Sequence, residues 1–269
     1  MNGLSMNGRP VNGRPVNGLR TAIAVEVHKA RAARVVIATS VIVSAGITIL
    51  ASAFILAARG GNAAVLAKLG SVFADGIGWT AYLSTVAQVT AAGSLLAFGV
   101  VISWMLGREF TDGTITGLFG LPVSRTTIAL AKLLVYLLWA ALVAVALAAL
   151  LLVVGLLLNL GPLDTEAFVG LGRQLALTLL TALVAVPAAW AATLGRGLLA
   201  GIGTSVGIMA TAQVMAVAGI GAWFPVAAPA LWAIAPNTVP SPALALVATV
   251  PLVFGGLTLL AWHRLQLDR

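Results

Sequence analysis

Long apolar runs, separated by short polar or charged stretches, make up most of the chain from Val35 to Trp262. Crossing a hydrocarbon core of about 30 Å takes about 20 helical residues at 1.5 Å each. Six runs reach that length: Val35 to Ala58, Trp79 to Leu106, Thr127 to Leu158, Leu171 to Leu194, Leu198 to Gly221 and Ala243 to Trp262. The third overshoots the core by about half, so it must tilt or extend into the aqueous phase, and Lys132 near its start favours extension. The pattern predicts an all-α polytopic membrane protein with about six transmembrane helices, since a bilayer admits only elements that satisfy their own backbone.

Two segments precede the first span. Residues 1–18 repeat Asn-Gly at Asn2, Asn7, Asn12 and Asn17, with Arg-Pro steps and few large apolar residues, which predicts a disordered cytosolic tail rather than a cleaved signal peptide. Residues 19–34 predict a cytosolic interfacial helix. Leu19, Ile23, Val27 and Ala30 share one stripe, Thr21 and His28 lie opposite, and Glu26 falls at the stripe's edge. Arg20, Lys29, Arg31 and Arg34 suit an anionic lipid surface. The transmembrane domain then occupies 35–264 and a short cytosolic C-terminus 265–269.

Composition supports the membrane class: 61% of residues are hydrophobic, 8% are charged and the mean hydropathy is +1.09. A soluble domain carries about 25% charged residues. The formal charge of +8 reads as an orientation signal rather than a nucleic-acid surface. With the N-terminus inside, 12 of the 15 Lys and Arg fall on the inner side, leaving Arg59, Lys68 and Arg173 outside. The expectation is a multi-pass protein of the inner or plasma membrane with both termini cytosolic.

The connection between the second and third spans is the most informative stretch. Arg108, Glu109 and Asp112 precede apolar Ile115, Leu118, Phe119 and Leu121, after which Pro122 forces a break. That order predicts a short surface helix able to seat a soluble partner. Arg108-Glu109-Phe110, then Asp112-Gly113-Thr114, then Leu121-Pro122-Val123-Ser124-Arg125, with Lys132 following, resembles the inner-loop signature of type-2 permeases of ATP-binding cassette (ABC) transporters, mostly exporters. The resemblance runs from Leu19 onward. It implies that two permease copies, identical or related, pair and that each engages a cytosolic P-loop ATPase through this loop and the pre-span helix of Glu26, Lys29 and Arg31. By the same resemblance Glu109 and Asp112 are polar contacts near the ATPase, Gly113 permits the turn, and Leu121 and Pro122 end the coupling element. Read from the residues alone, the same charges form a solvated loop in which Arg108 pairs with Asp112 at i,i+4.

The chain has no Gly-Lys dipeptide and hence no phosphate-cradling G-x-x-x-x-G-K-[ST] segment, so ATP and Mg are expected on the partner chain. With no cysteine, and with His28 and His263 isolated, neither a catalytic nor a metal site is expected. Ionisable residues are scarce within the spans, which argues against an ion-coupled carrier. Gln88, Asn159 and Gln213 are the main amides, and Gln88 and Gln213 either line a path or pack between helices. Gly201, Gly203, Ser205, Gly207 and Ala210 in the fifth span suit a bundle or dimer seam. Pro187 predicts a kink in the fourth. Trp223, Trp232 and Pro236 belong to a proline-rich outer segment, 222–243, expected to form short interfacial or re-entrant pieces.

The function these features favour is the permease subunit of an ATP-driven exporter of a hydrophobic or amphipathic substrate. The rivals are a non-transporting membrane anchor or assembly protein and a channel or secondary carrier. A P-loop ATPase that co-purifies would separate the first from the others.

Overall fold

The computed structural model describes residues 18–74, 76–118 and 123–266, and every regular element among them is helical. Helix α1 spans Gly18–Ala32. The first span, Arg34–Arg59, consists of α2 (Arg34–Val41), a π turn (Ile42–Gly46) and α3 (Ile47–Arg59), and α4 (Ala63–Leu69) follows. The second span is α5 (Trp79–Thr111). A one-turn helix, α6 (Ile115–Leu118), separates it from the third, α7 (Arg125–Leu157). The fourth span, Thr165–Leu194, comprises α8 (Thr165–Val184) and α9 (Pro187–Leu194), and α10 (Leu198–Val217) is the fifth. Next comes α11 (Ala228–Ile234), and the sixth span, Ser241–His263, joins α12 (Ser241–Leu246) to α13 (Thr249–His263). Among the described residues, six helices are thus long and apolar enough to cross a membrane.

Contacts at the helix ends show which ends share a face. Lys132 in α7 reaches Glu26 in α1, and Arg125 at the start of α7 donates to the carbonyl of Leu265 after α13. These elements define a terminal face. On the far face, Arg59 donates to the Leu158 carbonyl at 2.7 Å and the Trp79 indole donates to the Gly161 carbonyl at 3.2 Å.

Helix α5 occupies the centre, packing on α3, α7, α8, α9 and α10. Its Tyr82, Phe98, Ile102 and Leu106 are fully buried, and Phe98 meets Trp139 of α7 edge to face with centroids 5.5 Å apart. Lipid tails are as apolar as these side chains, so helices associate through close packing and hydrogen bonds rather than through expulsion of water. The α5–α10 seam is closest at Gly201, where an added Cβ would lie 2.1 Å from Ser103 Oγ and 2.7 Å from the Ala188 carbonyl oxygen. Gly99 meets Ser205 in the same way from the other side. Gly201 and Ser205 therefore form an intramolecular seam, whereas Gly203, Gly207 and Ala210 face outward.

Several boundaries differ from the sequence pattern for local reasons. The fourth span opens at Thr165 rather than Leu171 because Asp164 caps it, accepting from the Ala167 amide at 2.8 Å. The fifth stops at Val217 rather than Gly221, and Gly219 follows with φ of +79°. Pro187 lacks an amide proton, and the fourth span breaks just before it, at 185–186. In the first span Ser40 and Thr48 donate to carbonyls four residues back, at 2.8 and 2.7 Å, and Ser44 does likewise. Such back-bonding competes with the helical ladder and accompanies the π turn there.

The segment between α10 and α12 is a chain of short pieces. Its α11 packs on α5 and α8, and Ala233 clusters with Ala87 and Leu177. Ala87 lies eight residues after Trp79, about 12 Å into α5, so α11 dips below the far-face helix ends. Trp223 is exposed while Trp232 and Pro236 are half-buried.

Candidate functional site: a buried charge cluster on the terminal face

The second span does not end at Leu106 but continues to Thr111, which turns the first part of the expected loop into helix. Two features hold the extra turn. Arg108 Nε donates to Asp112 Oδ2 at 3.0 Å with the guanidinium 5.0 Å above the Trp104 ring, and Gly113 takes the left-handed φ of +67° that a helix C-terminus favours. Glu109 then projects inward from the last turn and is 4% exposed.

Glu109 meets residues from two other helices. Lys132 Nζ of α7 lies 2.8 Å from its Oε1, and Lys29 Nζ of α1 lies 2.9 Å from the same oxygen. The Thr114 hydroxyl, just before α6, donates to Oε2 at 2.6 Å. Glu26 completes the group: Oε2 lies 2.9 Å from Lys132 and Oε1 lies 3.1 Å from Lys29. Two carboxylates and two ammonium groups sum to no net charge. That balance, with each ammonium bridging both carboxylates, is what makes burial of Glu26, Glu109 and Lys132 beside the partly exposed Lys29 tolerable.

Local sequence explains the arrangement. Glu26 and Lys29 stand three residues apart and so share a helix face. Helix α1 buries Ala22, Glu26 and Ala30 along α7, a stripe at i, i+4 and i+8 whose small flanking residues let the backbones approach. Glu26 is therefore at the centre of the buried stripe, not at its edge. Lys132, 1% exposed, serves as the counter-ion for both carboxylates.

Burial acts to lower the pKa of Lys29, but the hydrogen bond to Glu109 and the charge of Glu26 outweigh it and raise it above the ordinary lysine value. A raised folded-state value means that the lysine's contribution is fully present below the unfolded value and is lost only as pH rises through the raised one. Docking of α1, followed by protease accessibility of the Ala32–Arg34 link, should be flat across neutral pH and weaken only at the alkaline end. A loss of protection on passing from neutral to mildly alkaline buffer would contradict this.

The remaining expected site residues are dispersed. Asp112 and Arg31 are exposed on the terminal face, and Arg108 is half-buried over Trp104. Phe110 turns inward, edge to face with Trp262 of α13 at 6.0 Å, so it packs the last span rather than facing solvent. Arg125 is tied to Leu265. Leu121 and Pro122 lie outside the described residues. Neither Gln88 nor Gln213 packs between helices through its amide: Gln88 is half-buried on a groove wall and Gln213 is exposed on α10. The interhelical amide bond belongs to Gln174, whose Nε2 donates to Thr90 Oγ1 of α5 at 2.7 Å. Gln174 lies inside the expected fourth span, but nothing in the sequence near it points to Thr90, 84 residues away.

A family model described as ABC-2 family transporter protein matches residues 22–212, from α1 through most of α10. The chain belongs to the ABC-2 transporter family. The match contains all four members of the charge cluster and the whole connection from α5 to α7. Comparison with curated proteins returned no match. As an ABC-2 family protein the chain is a membrane component of a transporter, and its cluster sits where the pre-span helix, the second span and the third span meet.

Proposed function

We propose that this chain is the permease subunit of an ATP-driven exporter, working as a pair of copies or with a related subunit, and powered by a separate P-loop ATPase that supplies ATP and Mg. The ATPase docks on the terminal face against α1 and the α5–α7 connection. That face is cytosolic in the inner or plasma membrane, in keeping with the distribution of Lys and Arg. A hydrophobic or amphipathic cargo suits the apolar spans.

The observation that carries this reading is the cluster of Glu26, Lys29, Glu109 and Lys132, which joins α1, α5 and α7 into one unit beside the connection. A displacement of that connection is passed to two spans at once, because breaking a buried ion pair costs about 3–5 kcal/mol. Glu109 then acts from inside as a latch. Asp112 and Arg108 are the contacts open to a partner, since their exposed i,i+4 pair is worth only about 0.3–0.5 kcal/mol and is readily exchanged.

The test is co-purification of tagged protein from its native membrane in mild detergent, with an ATPase assay. Asp112→Lys should weaken recovery of the ATPase by about 1–2 kcal/mol of docking energy, roughly 5–30-fold in affinity, while the permease remains folded. Recovery of no ATPase, or of one indifferent to Asp112→Lys, would shift the reading to an anchor or channel.

A further inference from the structure

A groove of about 820 Å³ runs down the outside of the bundle between the first span, α4 and α5. Its walls are Ile42 to Phe54 on one side and Thr85 to Ala97 on the other, each thirteen residues or about 18 Å of helix from end to end. Almost all of the lining is aliphatic or small, including Ile47, Leu50, Val89 and Ala92. A Cβ added at Gly93, on the α5 wall, meets nothing within 4 Å, so the space beside this helix is open. Lys68 of α4 lines the groove on the far-face side, just beyond the end of the first span at Arg59, and forms no ion pair among the described residues.

We propose that this groove holds one anionic phospholipid from the leaflet on the far face, its acyl chain lying between α3 and α5 and its phosphate on Lys68. The length and apolar lining match an extended chain, and the volume falls within the roughly 300–1,000 Å³ of small-molecule sites. The headgroup preference follows from charge: an unpaired ammonium at the end of an apolar slot is complementary to phosphate, and zwitterionic choline lipids neutralise that attraction internally. The site is remote from the charge cluster, and its occupancy does not depend on the ATPase reading.

The test uses full-length protein reconstituted in phosphatidylcholine vesicles with trace phosphatidylglycerol or phosphatidylcholine carrying a photoactivatable group in the acyl chain. Labelling should map to 42–54 and 85–97, with the anionic phosphatidylglycerol probe favoured about fivefold. Lys68→Glu should abolish the preference while leaving residual labelling. Gly93→Phe should remove labelling by both lipids with thermal unfolding unchanged, since the ring enters open space. Equal labelling of the two lipids by the wild-type protein, or labelling that survives Gly93→Phe, would overturn the proposal. So would efficient disulfide linkage of two Gly93→Cys copies in the otherwise cysteine-free chain, because that puts a second copy in the groove.

Discussion

Replacing Lys132 by Met should destabilise the protein by about 3–5 kcal/mol, the usual consequence of stripping one partner from a buried ionic group. Lys132 alone touches both Glu26 and Glu109 from α7, at 2.9 and 2.8 Å. Without it, two carboxylates share a single ammonium, Lys29, whose side chain is 32% exposed. Among the described residues the ion pair that then still ties α1 to the spans is the partly exposed Lys29–Glu109 pair to α5, so α1 should loosen and expose the Ala32–Arg34 link to protease while the spans remain inserted. The expected readout is a lowered midpoint of thermal unfolding in detergent together with faster cleavage ahead of the first span. Adding Glu109→Gln to Lys132→Met should recover part of the loss, because it removes the surplus charge. A single variant with wild-type unfolding and wild-type cleavage would show that the cluster is incidental.

Substitution of Gly201 by Val should be at least as damaging. Its Cβ would fall 2.7 Å from the Ala188 carbonyl oxygen, a backbone atom that cannot rotate away, and 2.1 Å from Ser103 Oγ. Forced overpacking costs about 1–3 kcal/mol in compliant cores and more where backbone must shift. Here α9 and α10 must both move off α5, so loss of the folded bundle in detergent is expected. Gly203→Val is the matched control, since a Cβ there meets nothing within 4 Å and the side chain points away from the bundle. Equal yields and equal unfolding of the two variants would refute the seam. Together these two predictions address different forces: charge pairing at the terminal face, and steric fit inside the membrane.

The division between what was legible and what was not follows from the range of each interaction. Apolar length is a local property, so six spans are legible in hydropathy, and a kink at Pro187 is legible because the missing amide proton belongs to the residue itself. The resemblance carried by Arg108-Glu109-Phe110 and its neighbours correctly pointed to the ABC-2 family. The same local reading puts Glu109 in a solvated loop, whereas it is buried. A charged residue at the end of an apolar run normally faces water, and nothing within a few positions of Glu109 reveals that Lys132 and Lys29, the latter 80 residues away, neutralise it. Gln88 and Gln174 cannot be told apart for a similar reason: both are single amides in apolar spans, and only packing decides that Gln174 meets Thr90 while Gln88 lines the open groove.

The sequence by itself determined the class of protein, the number of spans, the short pieces of the segment around Trp223 and Pro236, and the family. Those follow from composition, periodicity and residues with strong intrinsic backbone preferences. Tertiary structure decided that α5 is central, that Gly201 and Ser205 close a seam while Gly203 and Gly207 do not, and that four charges converge under the α5–α7 connection. These outcomes depend on which helix faces which. Helix periodicity makes a residue's own face legible, but the partner across the contact is set by the joint packing of all six spans.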